Sequence, residues 1–301
     1  MKLKKYTDIR NLPTSVPVLF YDAQYLVAQP YEKVLGFEVE EENGNKASVF
    51  FNLDGKMASS LKFSLFGSVL GNASINSKKE LLKYTHQQLL KNGIEKIVIT
   101  HPIALYGFEN PTSFFHSLGY KIDFADFNQH IDLTSYRTAI LHSMEKRKLE
   151  KGLQEGIECS LASSSQVAVI HSFLSNCRAQ KGLNINISAE KLSLLFQQFP
   201  NRYKCFTANL SGEMIAACVT VEVSGNVAYY YLPGTDEKYQ KLSPMVVLLD
   251  FICKYYQARD MNFLDLGISS VEGVKQEGLF LFKERMGAET LKKYRFSRVL
   301  K

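Results

Sequence analysis

The residues best suited to chemistry gather in one stretch, Asn226 to Gly287. Leu264-Asp-Leu-Gly-Ile-Ser-Ser ends a predicted buried strand on a carboxylate and two hydroxyls. Asp265 can take a proton or orient an amine there; it can equally satisfy N–H groups of its own loop. Ser269 sets a hydroxyl nearby. Lys283, on the helix that follows, reads either as facing a crevice or as an ordinary solvated helix lysine. Upstream, Tyr229, Tyr230 and Tyr231 alternate across a predicted strand, so Tyr229 and Tyr231 share one face and Tyr230 takes the other. Phenols so placed move protons, donate hydrogen bonds or simply pack. Ser243-Pro244 then opens a long apolar helix. Serine accepts hydrogen bonds from a first helical turn, and proline fits where no N–H is needed. The N–H groups at such a start can hold an anion or a carbonyl oxygen, and Lys241 lies beside them.

These residues need a scaffold, and its pattern recurs. Helix Lys78 to Asn92, strand Ile94 to Thr100, helix Thr112 to Gly119 and a further strand match helix Ser243 to Asp260, strand Asn262 to Leu266, helix Phe280 to Gly287 and strand Tyr294 to Val299. Before the second set, three strands from Tyr203, Met214 and Val227 are joined by Ser211-Gly and Ser224-Gly turns. Before the first, a hairpin is expected around Asn43-Gly44-Asn45, a turn at Asn11 to Pro17, and a strand from Leu61. The pattern predicts an α/β chain (α+β mixed sheets) of two similar units, residues 1–152 and 153–301. The first ends in a basic helix over about 135–152, and Ser163 to Ser165 caps the next helix. In the first unit, His101 and Tyr106 sit in the loop after a strand, where they can line a cleft; a histidine before proline is also commonly structural.

Composition narrows the classes. The chain has 301 residues, 46% hydrophobic and 22% charged, which is a folded and not a disordered balance. No apolar run approaches the roughly 18 residues of a membrane span, and no signal-peptide core follows Met1, so a cytoplasmic location is expected. Five cysteines, Cys159, Cys177, Cys205, Cys218 and Cys253, are odd in number and far apart, and read as free thiols with no metal site. The six histidines form no Ser–His–Asp order, which sets hydrolase readings aside. The net charge is +6, and the one dense patch is Arg137 to Lys151, where Arg137, Lys146, Arg147, Lys148 and Lys151 outnumber Glu145 and Glu150; it reads as a solvated helix face or a contact for nucleic acid or a nucleotide phosphate.

Ile215-Ala-Ala, the strand ending Tyr231-Leu-Pro-Gly-Thr, Ser243-Pro, Leu264-Asp-Leu-Gly-Ile-Ser-Ser and Gly278-Leu-Phe-Leu-Phe-Lys-Glu-Arg-Met-Gly-Ala together resemble the GNAT-like acyltransferases of the FemABX type. In the first half, Phe63-Ser-Leu-Phe-Gly-Ser, Phe114-Phe-His-Ser-Leu-Gly-Tyr and Asn128-Gln-His-Ile-Asp-Leu-Thr are similar in kind and placement. The resemblance implies tandem GNAT-like domains, each a central mixed sheet flanked by helices. It implies transfer of an acyl or aminoacyl group from an acyl-CoA or an aminoacyl-tRNA to an amine, with no tightly bound cofactor. The second half and the cleft between the halves would hold the substrates. The acceptor would be a small molecule or peptide, and tRNA would meet the basic helix 137–151. On that reading Asp265, Tyr230 and Tyr231 are the catalytic candidates, Tyr106, His101, Ser269 and Lys283 bind substrate, and Lys241 and Ser243 meet the donor. One departure stands out: where acetyl-CoA enzymes carry a glycine-rich turn that lets backbone N–H groups reach a pyrophosphate, this chain has Gln240-Lys-Leu-Ser-Pro. The rival from another class is a non-catalytic binding protein built on the same fold.

Overall fold

The computed structural model describes residues 1–12, 16–31, 33–61, 63–107 and 111–300. The chain divides into two compact units: Met1–Phe127 with Val271–Val274 and Leu291–Lys301, and Asn128–Ser270 with Lys275–Thr290. The turn expected at Asn11 to Pro17 lies partly outside the described residues.

Unit 1 opens with β1 (Lys2–Tyr6), α1 (Ala23–Ala28), β2 (Val34–Glu40) and β3 (Lys46–Asp54), with the expected hairpin joining β2 to β3. β4 (Met57–Ser59) follows, and the strand expected from Leu61 shrinks to β5 (Leu70–Gly71), paired with β3. Then come α2 (Ile75–Lys91), β6 (Lys96–Thr100), α3 (Thr112–His116) and the long β7 (Lys121–Asp132). Ser74 starts α2 by accepting the Ser77 N–H, and its buried stripe of Leu81, Leu82, Thr85, His86 and Leu89 follows the helical period. That stripe packs on the alternating face Phe51, Ala58, Ile97 and Ile99 of the strands. β4 and β6 are parallel.

Unit 2 takes the chain through α4 (Ser143–Gln154), β8 (Glu158–Ala162), α5 (Val167–Ala179), α6 (Ala189–Gln198), β9 (Tyr203–Leu210), β10 (Glu213–Glu222) and β11 (Val227–Thr235). α7 (Pro244–Gln257), β12 (Phe263–Ile268), the two-residue strands β13 (Ser270–Val271) and β14 (Val274–Lys275), α8 (Glu277–Arg285) and β15 (Glu289–Val299) follow, with Val271–Val274 and the part of β15 from Leu291 onward belonging to unit 1. Its strand order is β7-β12-β11-β10-β9-β8. Ala228, Tyr230, Leu264 and Leu266 from one sheet face pack with Val246, Leu249, Ile252 and Cys253 of α7.

The repeated helix–strand–helix–strand order is present in both units, with the last strands exchanged. β15, at the C-terminus, pairs with β6 of unit 1 over Arg295↔Thr100 to Val299↔Lys96. The end of β7 pairs with β12 of unit 2 over Phe263↔Asp132 to Ile268↔Asn128. Periodicity in a sequence reports which face of a strand is buried and carries no record of its partner. The division therefore falls at residues 127/128, where 152/153 was expected, because Leu149 of the basic helix packs into the unit 2 core. That helix is also shorter than expected: residues before Ser143 hold only a 3-10 turn, Thr138–Ile140. Gln257 explains this, since its Nε2 donates to the carbonyls of Leu133 and Tyr136.

Candidate active site

β11 and β12 run parallel for three residue pairs, Val227↔Phe263, Ala228↔Leu264 and Tyr229↔Asp265. Beyond Tyr229 they part. The register of β10 against β11 slips between Val219/Thr220, which face Leu232 and Tyr230, so Tyr231 is the extra residue of a bulge. A cavity of about 710 Å³ occupies the opening, walled by Tyr229, Tyr230 and Tyr231, by Ser243 to Val246 at the start of α7, by Gly267 and Ile268 at the end of β12, and by Lys283 of α8. It is a parallel-strand crevice at a sheet opening, the position where α/β folds hold ligands.

The start of α7 differs from expectation in one respect. The helix does begin at Pro244, but the Ser243 side chain caps nothing. Ser243 is also the residue that ends the preceding 3-10 helix, Glu237–Leu242, and it does so in the left-handed conformation with φ 54°. An N-cap needs extended backbone, so serving the first helix prevents it from capping the second. The positive end of α7 is thereby left without a side-chain acceptor, facing the cavity.

Lys283 is the only buried residue of α8, 4% exposed. Its Nζ donates to the carbonyls of Gly267 at 2.9 Å and Ile268 at 3.0 Å. Burial pulls its pKa down to about 8, against the opposing pull of Asp265. Lys283 is therefore not a solvated helix lysine. Gly267 itself has φ +73°, and a Cβ there would lie 3.1 Å from the Tyr229 hydroxyl. Glycine is what lets the chain turn its carbonyl to Lys283 under that phenol.

The other candidates separate. Asp265 is 3% exposed and does not wall the cavity; its Oδ1 accepts from Asn128 Nδ2 at 2.6 Å and from the Gly267 N–H at 2.8 Å. It holds the bulged turn that presents Gly267. Ser269 is fully buried outside the cavity and donates to Gln129 Oε1 at 2.7 Å. Tyr230, a catalytic candidate in the sequence, lies on the core face, its hydroxyl 2.6 Å from the Met245 sulfur, while the rings of Tyr229 and Tyr231 share the other face, as the alternation predicts, 6.1 Å apart. Burial raises all three phenol pKa values, so they are donors and not bases at neutral pH. Lys241 is exposed and off the cavity wall. His101 and Tyr106 are each 7% exposed inside unit 1, with His101 Nδ1 2.8 Å from Ser68 Oγ and Tyr106 packed on Phe66.

Sequence reasoning missed Arg178 and Lys181 and recognised Lys148 only as one of a basic run. Arg178 and Lys181, at the end of α5 and just beyond, join Lys148 and Lys283 on the cavity wall, against the single acidic wall residue Glu237. The available signal was their spacing of three on a helix end. α5 is drawn close by Gly234 of β11, whose missing Cβ would sit 2.7 Å from Leu174. A second groove of about 580 Å³, lined by Ser193, Gln197 and Lys204 among others, has less chemistry, since Lys204 Nζ is engaged by the Pro200 and Asn201 carbonyls. Among the described residues no helix is long and apolar enough to cross a membrane.

Residues 145–276, which include the mixed sheet that opens beside α7, match the family model described as an acetyltransferase (GNAT) domain. Among solved structures, FemX aligns with a TM-score of 0.66 at 10% identity, over 88% of this chain and 87% of its own. L-PGS from Bacillus licheniformis aligns at 0.62 and 13% identity, over 87% and 83% of the two chains. A tandem GNAT protein from the clavulanic acid biosynthesis pathway aligns at 0.59 and 10% identity, over 100% and 99%. No curated protein matches the sequence. The chain thus has a tandem GNAT-like fold, similar to that of FemX.

Proposed function

We propose that the chain is an N-acyltransferase, moving an acyl or aminoacyl group from an activated donor to an amine, with the donor seated in the unit 2 cavity. The observation that carries this reading is the meeting, in one crevice, of the uncapped start of α7, the Tyr231 bulge and a buried lysine of lowered pKa. The amine nitrogen attacks the donor carbonyl; a C–N bond forms, and the C–S bond of a thioester or the C–O bond of a tRNA ester breaks. Backbone N–H groups at the bulge and the α7 start stabilise the oxyanion. Lys283, about one in ten of whose molecules are neutral at pH 7, takes the amine proton and passes it to the leaving group. The basic wall, Lys148, Arg178 and Lys181, favours a phosphate-bearing donor. Acyl-CoA and aminoacyl-tRNA both qualify, and the absence of glycines at Gln240 to Ser243 favours the tRNA ester.

The test incubates the full chain with acyl-CoA thioesters or aminoacyl-tRNA and a panel of amines, and follows amide formation by mass spectrometry. Amide that depends on Lys283 is the expected result. Donors that bind and stabilise the protein without any amide product would instead make it the non-catalytic binding protein.

A further inference from the structure

We infer that unit 1 carries a binding site of its own, for a small carboxylate with a neighbouring hydroxyl or amino group. The site is a cavity of about 290 Å³ lined by Asn52, Ser59, Ser60, Thr100 and Arg295, with Asp54 on its wall. Its floor is a row across four strands: Asn52 pairs with Ser59, Ser59 with Val98, and Thr100, two residues further along β6, with Arg295. Paired residues show their side chains on one face, and the sequence neighbours Phe51, Ala58, Ile97, Ile99 and Phe296 show theirs on the other, in the core with α2.

The second face of such a sheet is ordinarily either apolar and covered or charged and solvated. This one is polar and largely buried: Asn52 is 7% exposed and Ser60 6%. The Arg295 guanidinium lines the cavity, rests 5.4 Å from the Phe124 ring centroid and has as its ion pair only Asp123 Oδ2, at 4.0 Å, among the described residues. The hydroxyls of Ser59 and Thr100 form no hydrogen bond among the described residues, and Ser60 Oγ accepts only the Thr100 N–H, which leaves its own proton to donate. Leu61, on the wall, is held at φ 43°, a conformation that costs a side-chain-bearing residue free energy and is kept where something depends on it.

The terminal N–H groups of a guanidinium that lines a cavity and has no close acceptor are free to take a ligand oxygen. The planar fork matches a carboxylate, and the hydroxyls beside it serve a vicinal hydroxyl or amine. The volume lies at the small end of ligand cavities, roughly 300–1,000 Å³. The site is independent of the acyl-transfer reading.

Thermal unfolding of the full chain in titrations of L-lactate, L-serine, inorganic phosphate and glycerol tests it. Saturable stabilisation by lactate or serine, absent with glycerol and weaker with phosphate, is expected. Thr100→Val should weaken it about tenfold, and Arg295→Met should abolish it. Because Arg295→Met can disturb β15, the native chain gives a second readout: lactate or serine should slow phenylglyoxal modification of Arg295 and leave Arg285 unchanged. No saturable shift with either carboxylate, equal shifts in wild type and Thr100→Val, stronger binding of phosphate, or unaltered labelling of Arg295 would each overturn the proposal.

Discussion

The two units carry the same crevice and treat it in opposite ways. In unit 1 the parallel pair β4 and β6 stays tied beyond its last pairing, through the Ser60 N–H to the Val98 carbonyl and the Thr100 N–H to Ser60 Oγ. In unit 2 the corresponding pair, β11 and β12, separates after three residue pairs. The helix starts differ in the same sense. Ser74 caps α2, and the Glu41 carboxylate accepts from the Ser74 N–H and from the hydroxyls of Ser74 and Ser77, so an internal anion already sits at the positive end of that helix. These bonds hold the Glu41 carboxyl down to about 2. At α7 no side chain takes that position. A duplicated fold can thus fill one helix start with its own carboxylate and leave the other without one.

The contrast is most exposed at the two buried bases. Lys283→Met should lower amide formation by about 10²–10⁴ with the fold retained, read by single-turnover kinetics and circular dichroism. The wild-type rate should climb with pH and level off near 8, where Lys283 loses its proton. In unit 1, His86 is a base already committed: its Nε2 lies 2.8 Å from the Tyr120 hydroxyl and its Nδ1 accepts from Arg298. Burial, reinforced by Arg298, lowers its pKa to about 4 from 6.5. The unfolded chain therefore binds the proton first as pH falls. Stability should be full above about pH 6.5 and decline by roughly 3 kcal/mol towards pH 4, and His86→Gln should flatten that part of the unfolding curve.

Smaller effects sharpen the comparison at the backbone. Gly267→Ala should cost about 1–3 kcal/mol in denaturant unfolding, because φ +73° and the Tyr229 hydroxyl both oppose a Cβ. Ser74→Ala should cost about 1 kcal/mol by removing a true cap. Ser243→Ala should cost only a few tenths, and Ser243→Gly should stabilise by about 0.5 kcal/mol by relieving φ 54°. Equal losses at Ser74 and Ser243 would show the two helix starts to be equivalent and break the contrast.

Much of this was legible in the chain. Pro244 fixed the start of α7, the alternation of Tyr229 to Tyr231 gave their two faces, and the recurring order of helices and strands gave the duplicated fold. What was not legible depends on long-range partners. Asp265 looked catalytic because nothing nearby revealed Asn128, 137 positions earlier, as its hydrogen-bond donor. Lys283 looked as readily solvated because its partners are carbonyls at a strand end, and backbone groups leave no mark on residue type. Ser243 looked like a cap because residue type reports what a side chain can accept, while its φ was set by the 3-10 helix before it.

The exchange of final strands bears on how this polypeptide comes off the ribosome. Unit 1 receives β15 from residues made well after β6, so its sheet must wait with β6 unpaired on that side while some 190 further residues are synthesised. Unit 2 has every strand of its own sheet by the time Ile268 emerges. The later half of the gene product is thereby the earlier to close its sheet, and separating the halves by cutting the gene between them would leave each with the wrong last strand.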